Sequence, residues 1–211
     1  MSREAPERSA AADSPEPDPE GAPTKEAQVG RAYVALLRAV NLGSHGKVAM
    51  AGLRSWCDDL GFGDVATFIQ SGNAVFTAAG TSEDEVARVL GDRIEAECGV
   101  RTPVIVRTHD ELVAAVAANP LYDPVLDPKM LHLAFLDHTP PAERVAALDP
   151  HRSPGDVFAV DGRHVYLHYP NGSGRSKLTN DYLERTLGTI STARNWNTVV
   201  KLLELTTERQ P

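Results

Sequence analysis

Apolar residues in this chain fall in short segments whose spacing switches between the period of a strand and that of a helix. Ala32–Leu37 is an unbroken apolar run, the pattern of a strand buried on both faces. Met50, Leu53, Trp56, Cys57 and Leu60 then mark one face of a helix that Gly61 ends. Val65–Ile69 and Ala74–Thr77 are rich in strand formers and flank Gln70-Ser71-Gly72-Asn73, a hairpin signal. Val86, Leu90, Ile94 and Cys98 recur every four residues up to Gly99 and predict a second helix. Pro103–Arg107 predicts a strand, and its leading proline suits a sheet edge.

This β-α-β-β-α-β order is that of a ferredoxin-like unit, whose fourth strand usually lies at an edge. The order then recurs. A short helix near Asp110–Ala118 and a Pro-rich link lead to a strand at Leu131–Leu136 and a helix at Ala142–Leu148. Val157–Val160 and Arg163–Tyr169 flank the turn Asp161-Gly162, Tyr182–Leu187 predicts a helix closed by Gly188, and Ile190–Ala193 a strand. Asn195 opens a last helix. The fold class is therefore α+β, with two ferredoxin-like βαββαβ subdomains in tandem, an internal duplication, plus a C-terminal helix. The expected divisions are a tail over 1–29, a first subdomain over 30–120 and a second over 121–211.

Residues 1–29 hold five prolines and seven acids against three bases, too little apolar area to offset ordering, so the tail is expected to be disordered. That segment supplies half of the net charge of −8, a balance that argues against a dedicated nucleic-acid coat but not against a local basic site. The apolar runs are too short to span a bilayer, and the N-terminus has no signal-peptide pattern. Two cysteines, Cys57 and Cys98, make no disulfide framework, so a cytoplasmic location is expected. Both lie on apolar helix faces and read as core residues. Arg outnumbers Lys 16 to 5, the bias of a GC-rich bacterial genome.

Candidate chemistry is sparse. His164 and His168 on one strand lie roughly 13 Å apart, too far to share a metal ion, so no metal site is expected. Nucleophile motifs are absent. His164, Tyr166 and His168 share a strand face that could stack bases if open, although a plain solvated face is the expected reading. Three polar clusters remain. Arg38-Ala-Val-Asn41-Leu-Gly43-Ser-His-Gly46-Lys47 follows a strand, but Asn41 and Val48 stand where a phosphate-binding loop of a nucleotide triphosphatase needs Gly and Ser or Thr. Gln70-Ser71-Gly72-Asn73 is a turn with polar side chains to spare. Gly174-Arg175-Ser176-Lys177 and Thr192-Ala-Arg194-Asn195-Trp196 each lead into a helix, and residues 171–201 carry five bases and two acids.

These same segments resemble a known family. Tyr33–Asn41, Phe68–Phe76, Gly174–Leu178 and Thr192–Thr198 resemble, in the right order, the bacterial domain-of-unknown-function family 1697, over about residues 31–206. The resemblance implies a duplicated ferredoxin-like α+β fold and brings no established activity, substrate or cofactor. Ala39-Val40 stands where the family often has Gly-Ile.

The reading is a protein that binds an anionic or phosphorylated small molecule between its halves. Arg38, Asn41, Lys47, Gln70, Ser71 and Asn73 would line one side and Arg175, Ser176, Lys177, Arg194 and Asn195 the other. No catalytic residue, cofactor or membrane contact is implied. A nucleic-acid module on the Tyr166 face, or a non-catalytic scaffold, are the alternatives.

Overall fold

The computed structural model describes Met1 and residues 30–41 and 46–210; the expectation about the acidic tail, and Gly43 in the first loop, lie outside the described residues. The first half contains β1 (Arg31–Leu37), α1 (Met50–Asp59), β2 (Gly63–Thr67), β3 (Asn73–Ala78), α2 (Glu83–Cys98) and β4 (Val104–Thr108). Then α3 (His109–Ala117) and a turn-rich link lead to the second half. It contains β5 (Leu131–Leu136), α4 (Ala142–Ala146), β6 (Val157–Asp161), β7 (His164–His168), α5 (Asn180–Leu187), β8 (Ser191–Asn195) and α6 (Trp196–Thr207). Each half is a four-stranded antiparallel sheet, in the orders β2-β3-β1-β4 and β6-β7-β5-β8. The fold is α+β, two ferredoxin-like units in tandem with a C-terminal helix, and β4 does lie at an edge. No helix among the described residues is long and apolar enough to cross a membrane.

Local chemistry sets the helix ends. Ser82 Oγ accepts from Glu85 N–H at the start of α2, whose first turn carries Glu83, Asp84 and Glu85, the charge that suits a helix N-terminus. Gly99, at φ 66°, ends it. Thr108 and Glu111 form a capping box on α3, while Thr179 and Asn195 cap α5 and α6.

The apolar residues sort into three layers. Tyr33, Ala35 and Leu37 of β1 face Leu53 and Cys57 of α1 and Val86, Leu90 and Ile94 of α2. In the second half Ala134, Leu136, Val165 and Leu167 face Tyr182, Leu183 and Leu187 of α5. The middle layer belongs to both halves. Val34, Leu36, Val75 and Ile105 meet Leu131, Leu133, Phe135 and Tyr166, with Leu112 of α3 and Trp196, Val199 and Leu202 of α6 filling the seam. Burying each such side chain contributes about 1.5–3 kcal/mol. This is why β1 after Arg31, and β5 apart from His132, carry no charged or strongly polar side chain: both of their faces are covered.

The seam corrects one expectation. The face carrying Tyr166 is neither solvated nor open for stacking, because Tyr166 is fully buried and its hydroxyl donates to Ala115 O at 2.9 Å. Cys98, expected in the core, is exposed, since it sits in the last turn of α2, beyond the part that packs. Strand β2 stops at Thr67 rather than Ile69, whose φ of 49° leaves the extended region.

The halves correspond residue by residue. Val34 of β1 pairs with Val75 and Arg107, and Leu133 of β5 pairs with Tyr166 and Arg194. Helices α3 and α6, which follow β4 and β8, pack against each other.

Candidate functional site

Two arginines occupy equivalent places and cross to the opposite half. Arg194 of β8 donates from Nε to Asn73 Oδ1 at 2.6 Å, and from Nη1 to Thr192 Oγ1 at 2.7 Å and Ala193 O at 2.9 Å. Its Nη2 reaches Leu37 O at 2.9 Å, Ser71 O at 3.0 Å and Gly72 O at 3.4 Å. Arg107 of β4 repeats this in mirror order. Its Nη1 donates to Val106 O at 2.7 Å, its Nη2 to Leu136 O and to Arg163 O at 3.3 Å, and its Nε to His164 Nε2 at 3.5 Å. Leu37 and Leu136 end β1 and β5, and the arginines donate to the buried carbonyls there, with Thr192 Oγ1 also donating to Leu37 O at 3.3 Å. Asn73 and His164 are likewise equivalent, each the first residue of its strand.

The surroundings of the two guanidinium groups differ in charge. Beside Arg107, Arg163 Nη2 donates to Glu83 Oε2 at 3.0 Å and also pairs with Glu111. Burial works against the Glu111 charge, but hydrogen bonds from Glu83 and the Thr108 N–H, with Arg163 and Arg107 nearby, hold its carboxyl at about 2. Glu83 shifts the other way, raised by burial and by the hydrogen bond it shares with Glu111. Burial, then the charges of Arg107 and Arg163, push His164 down to about 4, so it stays neutral.

At the Arg194 end the matching positions are uncharged. Glu83 is the first residue of α2 and Asn180 the first of α5; Glu111 is the third of α3 and Thr198 the third of α6. Arg194 is 7% exposed, none of its acceptors is a carboxylate, and burial pulls it down to about 10.

Next to it lies a cleft of about 290 Å³ between the halves, lined by Arg38, Ala39, Val40, Ser71, Asn180, Asp181, Thr192 and Arg194. Arg38 spans the halves: Nε and Nη2 donate to Glu184 at 2.6 and 2.7 Å, and Nη2 reaches Asp181 at 3.3 Å. Its Nη1 and the backbone N–H groups of Ala39 and Val40 have no acceptor among the described residues. The rim is strained, with Ala39, Asn41 and Ile69 at φ 53°, 58° and 49°. Asn41 holds it in that shape, donating to Val48 O at 2.9 Å and Gln70 O at 2.7 Å and accepting from Val48 N–H at 2.9 Å.

The structure thus brings Arg38, Ser71 and Arg194 to one cleft, with Asn41 and Asn73 bracing its wall. Gln70 and Lys47 are exposed and do not line it, and Asn195 is taken up as the cap of α6, accepting from Thr198 N–H at 2.9 Å. Arg175, Ser176 and Lys177 line a different cleft. The expectation of a single site shared by Arg175, Lys177 and Arg194 is corrected: bonds to Leu37, Ser71 and Gly72 draw Arg194 into the seam, whereas Arg175 sits in a single 3-10 turn, Ser173–Arg175, of the second half alone. Sequence reasoning missed Arg107, Glu83, Glu111, Arg163, Asn180 and Thr198. The signal for Arg107 was its place just before the helix cap Thr108, as Arg194 precedes Asn195. Among the described residues, no group of three or more His, Cys, Asp or Glu is placed to hold a metal.

The solved structure of a conserved bacterial protein, SP0830, from Streptococcus pneumoniae is similar to this chain, with a TM-score of 0.63, 20% identity, and coverage of 83% of this chain and 98% of that one. Likeness at that identity speaks to the fold alone. A comparison with curated proteins finds no match. The model of a family described as protein of unknown function (DUF1697) matches residues 31–166, from β1 into β7, and the chain belongs to that family.

Proposed function

We propose that the protein binds an anionic small molecule, bearing a carboxylate or phosphate, in the cleft between its two halves. One observation carries the reading: the buried Arg194 charge lacks the carboxylates that stand beside its counterpart Arg107, and open space takes their place. A buried cation is stabilised by a nearby anion, and the places that Glu83 and Glu111 hold at one end, shared there with Arg163, are held by Asn180 and Thr198 at the other, where Glu184 and Asp181 are taken up by Arg38. Arg38 Nη1, the N–H groups of Ala39 and Val40, the Ser71 hydroxyl and the Asn180 amide are the donors at hand. Asp181 is the opposing charge, and its side chain is 78% exposed, free to turn away into water. The donors of Arg194 itself are all engaged, so it acts through its field rather than by contact. The nucleic-acid reading has lost its surface, because the Tyr166 face is buried. Cys57 and Cys98, both free thiols, fit a cytoplasmic and, with the Arg-rich composition, bacterial protein.

Asn180→Glu tests this, since it installs the carboxylate that Glu83 provides at the other end. Thermal melting with inorganic phosphate, acetate and citrate at constant ionic strength should show at least one anion raising the wild-type melting temperature. The variant should melt higher without anion and lose the response. A wild type indifferent to every anion, or a variant that responds as wild type does, refutes the proposal and leaves a braced scaffold.

A further inference from the structure

The other cleft, about 330 Å³, lies wholly in the second half, where the segment before β6 meets the one that leads from β7 to α5. Ser153, Asp156, Asn171, Arg175, Ser176 and Lys177 line it, and it shares no lining residue with the cleft at the seam. Arg175 and Lys177 are exposed and form no ion pair among the described residues. A third cation stands with them. The Arg152 guanidinium lies 4.0 Å over the Tyr182 ring, and its Nε donates to Lys177 O at 3.0 Å, which pins it to the same segment.

The neutral groups are set to donate. Ser153 Oγ accepts from Lys177 N–H at 3.2 Å and Ser176 Oγ from Leu178 N–H at 2.9 Å, which leaves each hydroxyl hydrogen for another acceptor. Like charges held on one short segment repel, a cost that an anion offsets. Facing them is a single acid. Asp156 has one carboxylate oxygen buried and without a hydrogen-bond partner among the described residues. An ionised carboxylate only accepts, so a ligand that satisfies it must bring a hydroxyl or another donor.

We infer that this cleft binds a phosphorylated polyol or sugar, with the phosphate on Arg175 and Lys177 and a hydroxyl on Asp156. The cations donate charge-assisted hydrogen bonds to the dianion, and the carboxylate distinguishes a polyol phosphate from free phosphate. The space is that of a small metabolite rather than of a polymer.

Calorimetric titration of the full chain with inorganic phosphate, glycerol 3-phosphate and ribose 5-phosphate tests this. At least one of the two esters should bind ten times tighter than phosphate. The double variant Arg175→Ala/Lys177→Ala should weaken all three at least tenfold while keeping its melting temperature, both residues being exposed. Asp156→Asn, of the same shape, should bring the esters down to the affinity of phosphate. Asn180→Glu, at the seam, should change none of these. Equal affinity for phosphate and both esters in the wild type overturns the inference, as does a double variant or an Asp156→Asn variant that binds as wild type does.

Discussion

Arg107 and Arg194 cross the seam in opposite directions, each from the penultimate residue of an edge strand to the carbonyl that ends the other half's first strand. A guanidinium has five N–H donors in a fixed fork, and all those of Arg194 have acceptors. Lysine offers three donors around one point and cannot span the same set. Arg194→Lys should cost about 2 kcal/mol and Arg194→Leu about 3 kcal/mol or more, because buried carbonyls lose their donors. Urea denaturation measures both, and a loss below about 0.5 kcal/mol would mean that water replaces the side chain.

Acid should weaken the Arg107 end. His164 is held at about 4, by burial first and then by Arg107 and Arg163, against an ordinary 6.5. The unfolded chain therefore takes up a proton near 6.5 that the folded one refuses until about 4. The His164 contribution is complete above pH 6.5 and is lost as the pH falls through about 4. Glu111, held at about 2, continues the trend below the ordinary 4.5. His164→Asn copies the counterpart residue Asn73, and its urea midpoint should fall less than that of the wild type between pH 6.5 and 4.5. Parallel curves would refute this.

Gly72 permits a close approach of the 69–72 turn to Leu37 and Val40 within the first half. Its φ is 74°, and a Cβ there would lie 2.5 Å from Val40 Cγ2 and 2.7 Å from Leu37 Cβ. Gly72→Ala combines positive-φ strain with overpacking and should cost about 2–4 kcal/mol by denaturant titration. A variant as stable as wild type would show that the 69–72 turn moves freely.

The shared middle layer should make the halves unfold together. Leu133→Ala removes a fully buried side chain and should cost about 2–5 kcal/mol. Near-ultraviolet and far-ultraviolet circular dichroism should trace one coincident transition in wild type and variant. Two separated transitions would show that the seam does not couple the halves.

The sequence made the order of elements legible because each strand and helix carries its own period and its own stop, as Gly99 and Gly188 do. The role of Tyr166 was not legible: alternation along β7 assigns residues to faces, but what covers a face depends on β1, more than a hundred residues away. Arg194 was singled out for its charge, yet most of its partners are backbone carbonyls, which leave no trace in side-chain patterns. Asn180 and Thr198 gain meaning only beside Glu83 and Glu111, and that comparison needs the correspondence of the halves.

The correspondence has a consequence for symmetry itself. Two identical chains packed about a twofold axis repeat every contact, so a residue that seals one end of their interface seals the other. Here the two units are joined by the link between α3 and β5, and each can vary alone. The cluster of Arg163, Glu83 and Glu111 beside one arginine need not appear beside its counterpart. A symmetric pair must close both ends or open both; a single chain can close one for stability and leave the other open to a ligand.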